Sequence, residues 1–391
     1  MEDTTAIDKL SETLNSYFNK ALKKEIVITI PAKNEEETII KTLESIRIQQ
    51  NPDASFLDSN LFEVIVLCNN CTDKTYQLCV DFKAKYPDFP LINLVSNSQI
   101  INNVGAARRI LMNIACTRLV ENGFIVTTDA DTIADEFWVY NLHEYMNSSY
   151  DLVCGLILVD DSDLDCQAKK YLQASRNYMD LMCRLEAEIY PDVKDPWPKH
   201  PFNSGPNMAI RKYAYKKIGG MPPLHNLEDI AMFDLVVSHG FVTKHCIKTI
   251  VTTSTRKVPR APSGFGDQLM KWSVLDDKKD TCNVQSLERL KVKFKAFEMI
   301  RNFYTSRESQ LIFEIAALID LPVEKVQELY DKNERYQSLV RYLETALLSN
   351  EIWSIKYPDI NIFSAIKDLE SHFGCNKNIQ TYDDFFQRKS S

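Results

Sequence analysis

The sequence predicts an α/β protein with a doubly wound, mostly parallel sheet and a helical C-terminal region. Between residues 25 and 128, apolar runs typical of buried strands alternate four times with helical patterns, as in sheets whose strands are joined by helices. From residue 284 onward, apolar side chains recur at helical spacing instead. These two patterns place the sheet in the N-terminal part of the chain and helices in the C-terminal part.

The predicted elements begin with an amphipathic helix in residues 1–24. A β-branched run then predicts a strand at 25–30, and the acidic residues after Pro31 suit the first turn of a helix that ends at Ile48. The remaining elements of this part continue the alternation and are strand 62–68, helix 72–86, strand 91–95, helix 105–120, strand 124–128, strand 151–159 and helix 165–190.

Two segments rich in proline, glycine or small polar residues predict loops, at 195–206 and at 255–267. With these loops inside it, an α/β domain is expected to span residues 25–279. The helix of residues 1–24 precedes this domain, and the helical region of residues 280–391 follows it.

Composition excludes several classes of protein. The chain has 391 residues, 45% of them hydrophobic and 26% charged, and a net charge of −8, which argues against general nucleic-acid binding. No stretch approaches the ~20 apolar residues of a membrane span, so we expect no integral membrane segment. The N-terminus carries no signal-peptide pattern, and the ten cysteines have no framework spacing. A cytoplasmic protein with reduced thiols is the simplest interpretation.

Three predicted loops lie at the carboxyl ends of strands, after residues 30, 68 and 128. Ligands of doubly wound sheets bind beyond these ends, so the three loops are expected to meet in one cleft. The last of them contains Asp129 and Asp131, two carboxylates one residue apart. A divalent ion on a diphosphate needs one or two carboxylates besides the phosphate oxygens. The alternative is a solvated acidic turn.

Cys68 and Cys71 are separated by two residues, a spacing also found in zinc and redox sites. No second pair of this kind exists in the sequence, which leaves a four-ligand zinc site with little support.

Five motifs in a fixed order make residues 24–270 similar to the family 2 glycosyltransferases with the GT-A fold. The motifs are Pro31-Ala32-Lys33-Asn34-Glu35, residues 69–73, residues 105–108, Asp129-Ala130-Asp131 and Glu228-Asp229. The resemblance implies a GT-A fold with a mixed sheet, and it does not extend to the C-terminal third. Cysteine stands at 71, where the family usually has serine, and Cys68 stands where it usually has aspartate.

The resemblance implies a donor site for a nucleotide-diphosphate sugar. Pro31, Ala32 and Glu35 are expected along the base and ribose, and Asp73 is expected to face the base. The residues expected at the phosphates and the donor sugar are Arg108, Asn207 and Arg256, with Arg260 beside the last. For Glu35 and Asp73 the alternative is an acid at the start of a helix, and for Asn207 it is a turn.

The resemblance also implies a Mn²⁺ or Mg²⁺ ion bound by Asp131, with Asp129 binding the ribose or the ion. In inverting members of the family, the residue at Asp229 is the general base, and Glu228 binds the acceptor or orients the base. The alternative for this pair is a helix cap.

The predicted activity is therefore metal-dependent transfer of a sugar from a UDP- or GDP-sugar donor to an unknown hydroxyl acceptor, with inversion. A retaining enzyme of the same fold and an inactive nucleotide-sugar-binding scaffold are the alternatives. A nucleotidyltransferase is disfavoured because residues 31–36 lack the glycines of a phosphate loop. The aromatic residues of the C-terminal helices are interpreted as core, or as contacts of a homodimer.

Overall fold

The computed structural model describes residues 4–16, 23–255, 265–275, 282–306, 308, 310–333 and 335–374. The chain divides into two compact units. The first unit comprises residues 1–163 and 202–266, and the second comprises residues 164–201 and 267–391. None of the helices in the described ranges combines the length and hydropathy that a membrane crossing needs.

The strands and helices of both units are numbered here in chain order. The strands are β1 (Lys24–Ala32), β2 (Phe62–Asn69), β3 (Leu91–Ser96), β4 (Leu119–Thr127), β5 (Thr132–Ala134), β6 (Leu152–Val159), β7 (Met208–Arg211), β8 (Thr243–Thr253), β9 (Asn283–Gln285) and β10 (Asp359–Asn361). The helices are α1 (Thr4–Ser16), α2 (Ile39–Arg47), α3 (Thr75–Lys85), α4 (Val104–Arg118), α5 (Trp138–His143), α6 (Cys166–Ile189), α7 (Lys212–Lys217), α8 (Glu228–Ser238), α9 (Phe265–Val274), α10 (Leu287–Ser306), α11 (Gln310–Leu318), α12 (Val323–Asp331), α13 (Tyr336–Leu348), α14 (Glu351–Lys356) and α15 (Ile362–Phe373).

The first unit is built on an eight-stranded mixed sheet in the order β3-β2-β1-β4-β7-β6-β8-β5. The strands β3, β2, β1 and β4 are mutually parallel. Strand β7 runs antiparallel to both of its neighbours, β4 and β6, while β6 and β8 are parallel and β5 is antiparallel to β8. The predicted α/β fold with a mixed sheet is confirmed.

Each face of this sheet has its own apolar core, because successive side chains of a strand point to opposite faces. On β1, Val27 lies in the core beneath α1, α4 and α8. Its neighbours Ile26 and Ile28 lie in the opposite core, which contains side chains of α2, α3 and α5. Strands β1 and β2 therefore read as continuous apolar runs, as strands buried on both faces do.

The helix predicted to start after Pro31 begins later than expected. Strand β1 continues through Ala32, and α2 begins only at Ile39. Between them the backbone of Asn34 has φ +56°, in the left-handed region that asparagine tolerates better than most residues. The acidic residues at 35–37 therefore lie in a turn between strand and helix.

The second unit contains α6, α9 to α15 and the two-stranded antiparallel pair of β9 and β10. The predicted helical C-terminal region is confirmed. Its aromatic side chains are partly core, since Trp353 is 1% exposed. The domain boundaries placed at residues 24 and 279 remain predictions.

Candidate active site

Five residues from four different elements meet at the carboxyl end of β4 in the first unit. Arg108 lies in the first turns of α4, Asp129 follows β4, and Gly205 starts a short 3₁₀ turn before β7. Glu228 and Asp229 open α8. Glu228 is 97 residues further along the chain than Asp131. The fold nevertheless brings Asp129 and the acidic pair Glu228-Asp229 together around one arginine.

Arg108 is the centre of this arrangement. Its side chain is buried, with 3% of its surface exposed. Its Nη2 contacts Oδ1 of Asp129, its Nη1 donates to the carbonyl oxygen of Gly205 at 3.0 Å, and its Nε lies 3.2 Å from Oε1 of Glu228. One guanidinium therefore connects two carboxylates and one backbone carbonyl, through hydrogen bonds to Asp129 and Gly205 and an ion pair with Glu228.

The charges of this cluster act on one another. Burial disfavours the charged form of Arg108, but the nearby carboxylates of Asp129, Glu228 and Asp229 outweigh burial and raise the pKa of Arg108. Burial raises the pKa of Glu228, which Arg108 opposes and the charge of Asp229 reinforces. Partial burial likewise raises the pKa of Asp129, again against the influence of Arg108. Among these described residues, Arg108 supplies positive charge that compensates the carboxylates.

Asp229 is partly exposed, and both of its carboxylate oxygens are oriented by the backbone. Its Oδ2 accepts a hydrogen bond of 2.7 Å from the N–H of Gly205, and its Oδ1 accepts one of 2.8 Å from the N–H of Ile230. The carbonyl of Gly205 accepts from Oγ1 of Thr127 at 2.6 Å as well as from Arg108. Gly205 thus joins the end of β4, the arginine and the start of α8.

Asp131 lies in the short connection between β4 and β5. The hydroxyl of Ser254, which follows β8, donates to its Oδ2 at 3.1 Å. Pairing of β5 with β8 brings these two residues together. In the described ranges, three or more His, Cys, Asp or Glu side chains nowhere form a group that could hold a metal ion. An ion at Asp131 and Asp129 would therefore complete its coordination with ligands from outside this set.

The loops after β1 and β2 are joined by reciprocal hydrogen bonds. The N–H of Glu36 donates to Oδ2 of Asp73 at 3.1 Å, and the N–H of Lys74 donates to Oε2 of Glu36 at 3.0 Å. Between them, the N–H of Glu35 donates to Oγ1 of Thr75 at 2.7 Å. These bonds give the two loops, at the carboxyl ends of neighbouring strands, one fixed shape.

Asp73 connects these two loops because its carboxylate accepts hydrogen bonds from both of them. Its Oδ1 accepts hydrogen bonds from the N–H and the hydroxyl of Thr75, at 3.0 and 2.6 Å. Burial opposes its charge, but the hydrogen bonds from Thr75 and from the N–H of Glu36 outweigh burial and lower the pKa of Asp73. Glu35, the other predicted ribose or base residue here, accepts from the hydroxyl of Thr38 at 2.9 Å.

Cys71 belongs to the same loops. Its Sγ accepts from the N–H of Asn34 at 3.4 Å and donates to the carbonyl of Ala32 at 3.5 Å. The hydrogen bond with Cys68, together with burial, raises the pKa of Cys71 well above its usual value. A metal ligand must be a thiolate, so this environment favours the structural interpretation of the two cysteines. Pro31 and Ala32, at the end of β1, lie beside them.

Asn207, expected near the donor sugar, is 1% exposed and has its amide engaged by the protein. Its Nδ2 donates to the carbonyls of Leu156 and Thr249 at 3.0 and 2.9 Å, and its Oδ1 accepts from Nε1 of Trp138 at 2.8 Å. It therefore ties β6 and β8 to the turn before β7. Arg256 and Arg260 lie outside the described residues.

Sequence reasoning assigned no role of its own to Gly205 or to Ser254. Gly205 interacts through its backbone, and glycine beside proline is typical of any turn. Ser254 reaches Asp131 only because β5 pairs with β8, and the paired residues are up to 121 positions apart in the chain, which leaves no local signal.

The mixed sheet, with helices on both faces and acidic residues after its fourth strand, is of the GT-A type. In agreement with this, residues 27–219 match the family model "Glycosyl transferase family 2". These residues, just under half of the chain, therefore form a glycosyltransferase domain of the family 2 type. The match ends before Glu228 and Asp229 and begins after α1.

The solved structures that match this chain share little sequence with it. TarS 1–349 of S. aureus in complex with UDP-GlcNAc has a TM-score of 0.45 at 16% identity, covering 81% of this chain and 89% of its own. The mannosyltransferase PcManGT of Pyrobaculum calidifontis, with GDP-Man and Mn²⁺, has a TM-score of 0.43 at 12% identity and covers 96% of both chains. GalNAc-T7 with UDP, GalNAc and Mn²⁺ has a TM-score of 0.44 at 13% identity, covering 87% of this chain and 59% of its own. No curated protein matches the chain.

Proposed function

We propose that this glycosyltransferase moves a sugar from a UDP- or GDP-sugar to a hydroxyl acceptor, with a divalent metal ion and in a single inverting displacement. The observation that carries the proposal is the frame built by Arg108 and Gly205. Arg108 contacts Asp129, which lies two residues before the predicted metal ligand Asp131, and the N–H of Gly205 donates to Asp229. The same cluster therefore positions Asp129 for the leaving diphosphate and Asp229 as the base.

The two aspartates after β4 fit a Mn²⁺ or Mg²⁺ ion. Such ions are commonly bound by one or two carboxylates, with substrate phosphates and water completing the oxygen ligands. Asp131, oriented by Ser254, and Asp129, oriented by Arg108, supply that number of carboxylates. When bound, the ion would neutralise negative charge on the departing diphosphate.

Asp229 is proposed as the general base. Hydrogen bonds from the N–H groups of Gly205 and Ile230 fix the direction of its carboxylate. In the displacement, the acceptor oxygen bonds to the anomeric carbon and passes its proton to Asp229. The bond from the anomeric carbon to the phosphate oxygen breaks, and its electron pair leaves with the nucleoside diphosphate. One displacement inverts the anomeric configuration.

Glu228 and Arg108 are proposed to support these groups. Glu228 is buried, with 5% of its surface exposed, and lies against Arg108, which suits orientation of the cluster better than contact with an acceptor. The guanidinium of Arg108 is held by two carboxylates and a carbonyl. We therefore infer that it balances the charge of the acidic site, where the sequence had predicted a contact with phosphate.

The nucleotide is proposed to bind along the joined loops after β1 and β2. Pro31 and Ala32 provide the end of a strand there, Glu35 provides a carboxylate that ribose hydroxyls can donate to, and Asp73 holds the loops in shape. Asn207 is proposed to hold strands together and not to bind sugar, because its amide groups are used within the protein. Arg256 keeps its predicted role at the diphosphate.

The test combines binding and product chemistry. Thermal shift is measured with UDP, GDP and their sugar conjugates, each with and without Mn²⁺, because a ligand of the folded state raises the melting temperature by mass action. We expect one nucleotide to stabilise the protein only when Mn²⁺ is present. With an acceptor found by screening, proton NMR of the product should show inversion. Retention would overturn the role of Asp229, and stabilisation independent of metal would overturn the role of Asp131.

A further inference from the structure

Two adjacent arginines of α4 point to different partners. Arg108 faces the acidic cluster, whereas Arg109 faces α1, the N-terminal helix that precedes the residues matching the family model. Nε and Nη2 of Arg109 donate to Oδ1 and Oδ2 of Asp8 at 2.8 and 2.9 Å. This bidentate contact fixes both the position and the plane of the guanidinium.

The remaining nitrogen of Arg109 holds the segment that leads to the acidic pair. Its Nη1 donates to the carbonyl oxygens of Gly219 and Met221, both at 3.0 Å. Gly219 and Gly220 have φ values of +85° and +87°, so this turn uses a conformation that other residues adopt only with strain. An arginine fixed by Asp8 is therefore fastened to this turn through two backbone carbonyls.

The next residues of the segment pack on the start of α4. The N–H of Gly105 donates to the carbonyl of Leu224 at 3.3 Å, and a Cβ atom at Gly105 would lie 2.5 Å from backbone atoms of Leu224. Leu227 then enters α8 with φ +60° and an exposed side chain. The backbone of residues 219–227 is thus held from α4, by Gly105 at one point and by Arg109 at another.

Asp8 is itself well supported. Nδ2 of Asn113 donates to its Oδ1 at 2.8 Å, and Ile7 beside it is buried in the core under α4. The hydrogen bond from Arg109 outweighs partial burial and lowers the pKa of Asp8, so the carboxylate is charged at neutral pH. The N-terminal helix therefore presents a fixed negative charge to Arg109.

We propose that Asp8 is a positioning residue for the acidic pair, acting through Arg109 on residues 219–227. The N-terminal helix would then be part of the machinery that sets the direction of Asp229. This inference rests on the proposed function only in its prediction about turnover, because the order of residues 219–227 can be measured without any substrate.

The experiment compares D8N with E12Q in the full chain. Both variants remove one carboxylate charge from α1, but Glu12 is exposed on that helix. Hydrogen exchange followed by mass spectrometry reports the amides of residues 219–227 and, separately, those of α1. We expect D8N to speed exchange in 219–227 roughly tenfold, as loss of a charge-assisted contact does, and E12Q to leave it unchanged.

Combining D8N with R109M shows whether Asp8 affects hydrogen exchange in residues 219–227 through Arg109. In R109M, which keeps an apolar stem but no donors, D8N should add nothing to exchange in residues 219–227. Additive effects, or wild-type exchange in D8N, would overturn the proposal. With sugar nucleotide and acceptor, D8N should lower kcat about ten- to a hundredfold with little change in donor KM, as misplacement of a catalytic group does. If D229N turned over normally while D8N loosened the segment, the proposed base would be wrong and the positioning role would stand.

Discussion

The N–H of Gly205 donates a 2.7 Å hydrogen bond to Oδ2 of Asp229, a residue 24 positions further along the chain. The same glycine accepts a hydrogen bond from Arg108 through its carbonyl. One peptide segment therefore links the proposed general base to the arginine that holds Asp129. The proposed base and the proposed metal site are coupled through a residue that has no side chain.

A G205A substitution should disrupt this link. A Cβ atom there would lie 2.5 Å from Nη2 and 2.7 Å from Cζ of Arg108. Because that guanidinium is buried and held by carboxylates, it cannot turn aside without breaking its contacts. We expect a loss of about 1–3 kcal/mol in unfolding free energy, the usual cost of overpacking, and loss of most of the turnover. The measurements are urea unfolding and nucleoside diphosphate release.

S204A is the matched control for G205A. It alters the neighbouring side chain and leaves the space around Arg108 unchanged, so stability and turnover should stay near wild type. If G205A behaved like S204A, the guanidinium would be free to move, and the rigid frame proposed here would not exist.

The sequence predicted the parallel half of the sheet because strands buried on both faces appear as continuous apolar runs, as β1, β2 and the second half of β4 do. It also placed Asp129 at a strand end. It did not predict β7, since a four-residue strand (Met208–Arg211) has no periodicity of its own. The insertion of β7 between β4 and β6 is what carries Gly205 to Arg108 and Asp229.

The environment of Asn207 has a similar origin. An asparagine after glycine and proline is typical of a turn, and the sequence does not show that its amide donates to carbonyls of Leu156 and Thr249. Whether a polar side chain forms its hydrogen bonds within the protein depends on pairing between strands that are distant in the sequence. For the same reason, the partnership of Asp8 with Arg109, 101 positions apart, was beyond prediction.

Asp131 should be required for metal-dependent binding of the nucleotide. In D131N, an amide replaces one of the two carboxylates proposed for the ion, so we expect the Mn²⁺-dependent thermal shift to vanish and turnover to fall about a hundredfold or more. S254A keeps the carboxylate and removes only the hydroxyl that orients it. Its cost should be smaller, about tenfold in metal affinity. Equal metal dependence in wild type and D131N would refute the site.

Asp229 should be required for chemistry and not for donor binding. In D229N the side chain keeps an oxygen that can accept from the N–H of Gly205, but the amide cannot take the acceptor proton. We expect kcat to fall roughly a hundred- to ten-thousandfold, the range of general base catalysis. Calorimetry with donor nucleotide and Mn²⁺ provides the control, because the dissociation constant should stay within error of wild type. A parallel loss of binding would mean that Asp229 acts on the donor.

Asp73 should support donor binding through the shape of its loops. D73A removes the acceptor of hydrogen bonds from the N–H of Glu36 and from two groups of Thr75. We expect the unfolding free energy to fall by about 1–3 kcal/mol and the donor KM to rise, with kcat little changed. K74A is the control, since only the backbone of Lys74 takes part in these bonds. A fall in kcat at unchanged KM would contradict a role on the nucleotide side.

Glu228 should make stability depend on pH in a direction opposite to that of an ordinary salt-bridged carboxylate. Burial raises its pKa above the usual value of 4.5 in the folded protein, so the folded state holds the proton to a higher pH than the unfolded chain does. Below pH 4.5 both states are protonated and the group contributes nothing. As pH rises from 4.5 through the folded pKa, the unfolded chain loses its proton first, and stability falls.

The E228Q variant removes this titration while keeping the shape of the side chain. Urea unfolding of wild type and E228Q at a series of pH values from 4.5 upward should therefore show the wild type losing stability relative to the variant as pH rises, until the folded group has ionised. The wild type loses stability because the buried charge of Glu228 is unfavourable. Arg108 compensates this charge only in part, because its positive charge also interacts with Asp129 and Asp229. A wild type that gained stability over E228Q with rising pH would show that the pairing with Arg108 outweighs burial. The charged form of Glu228, at the start of α8, would then stabilise the folded protein through its pairing with Arg108.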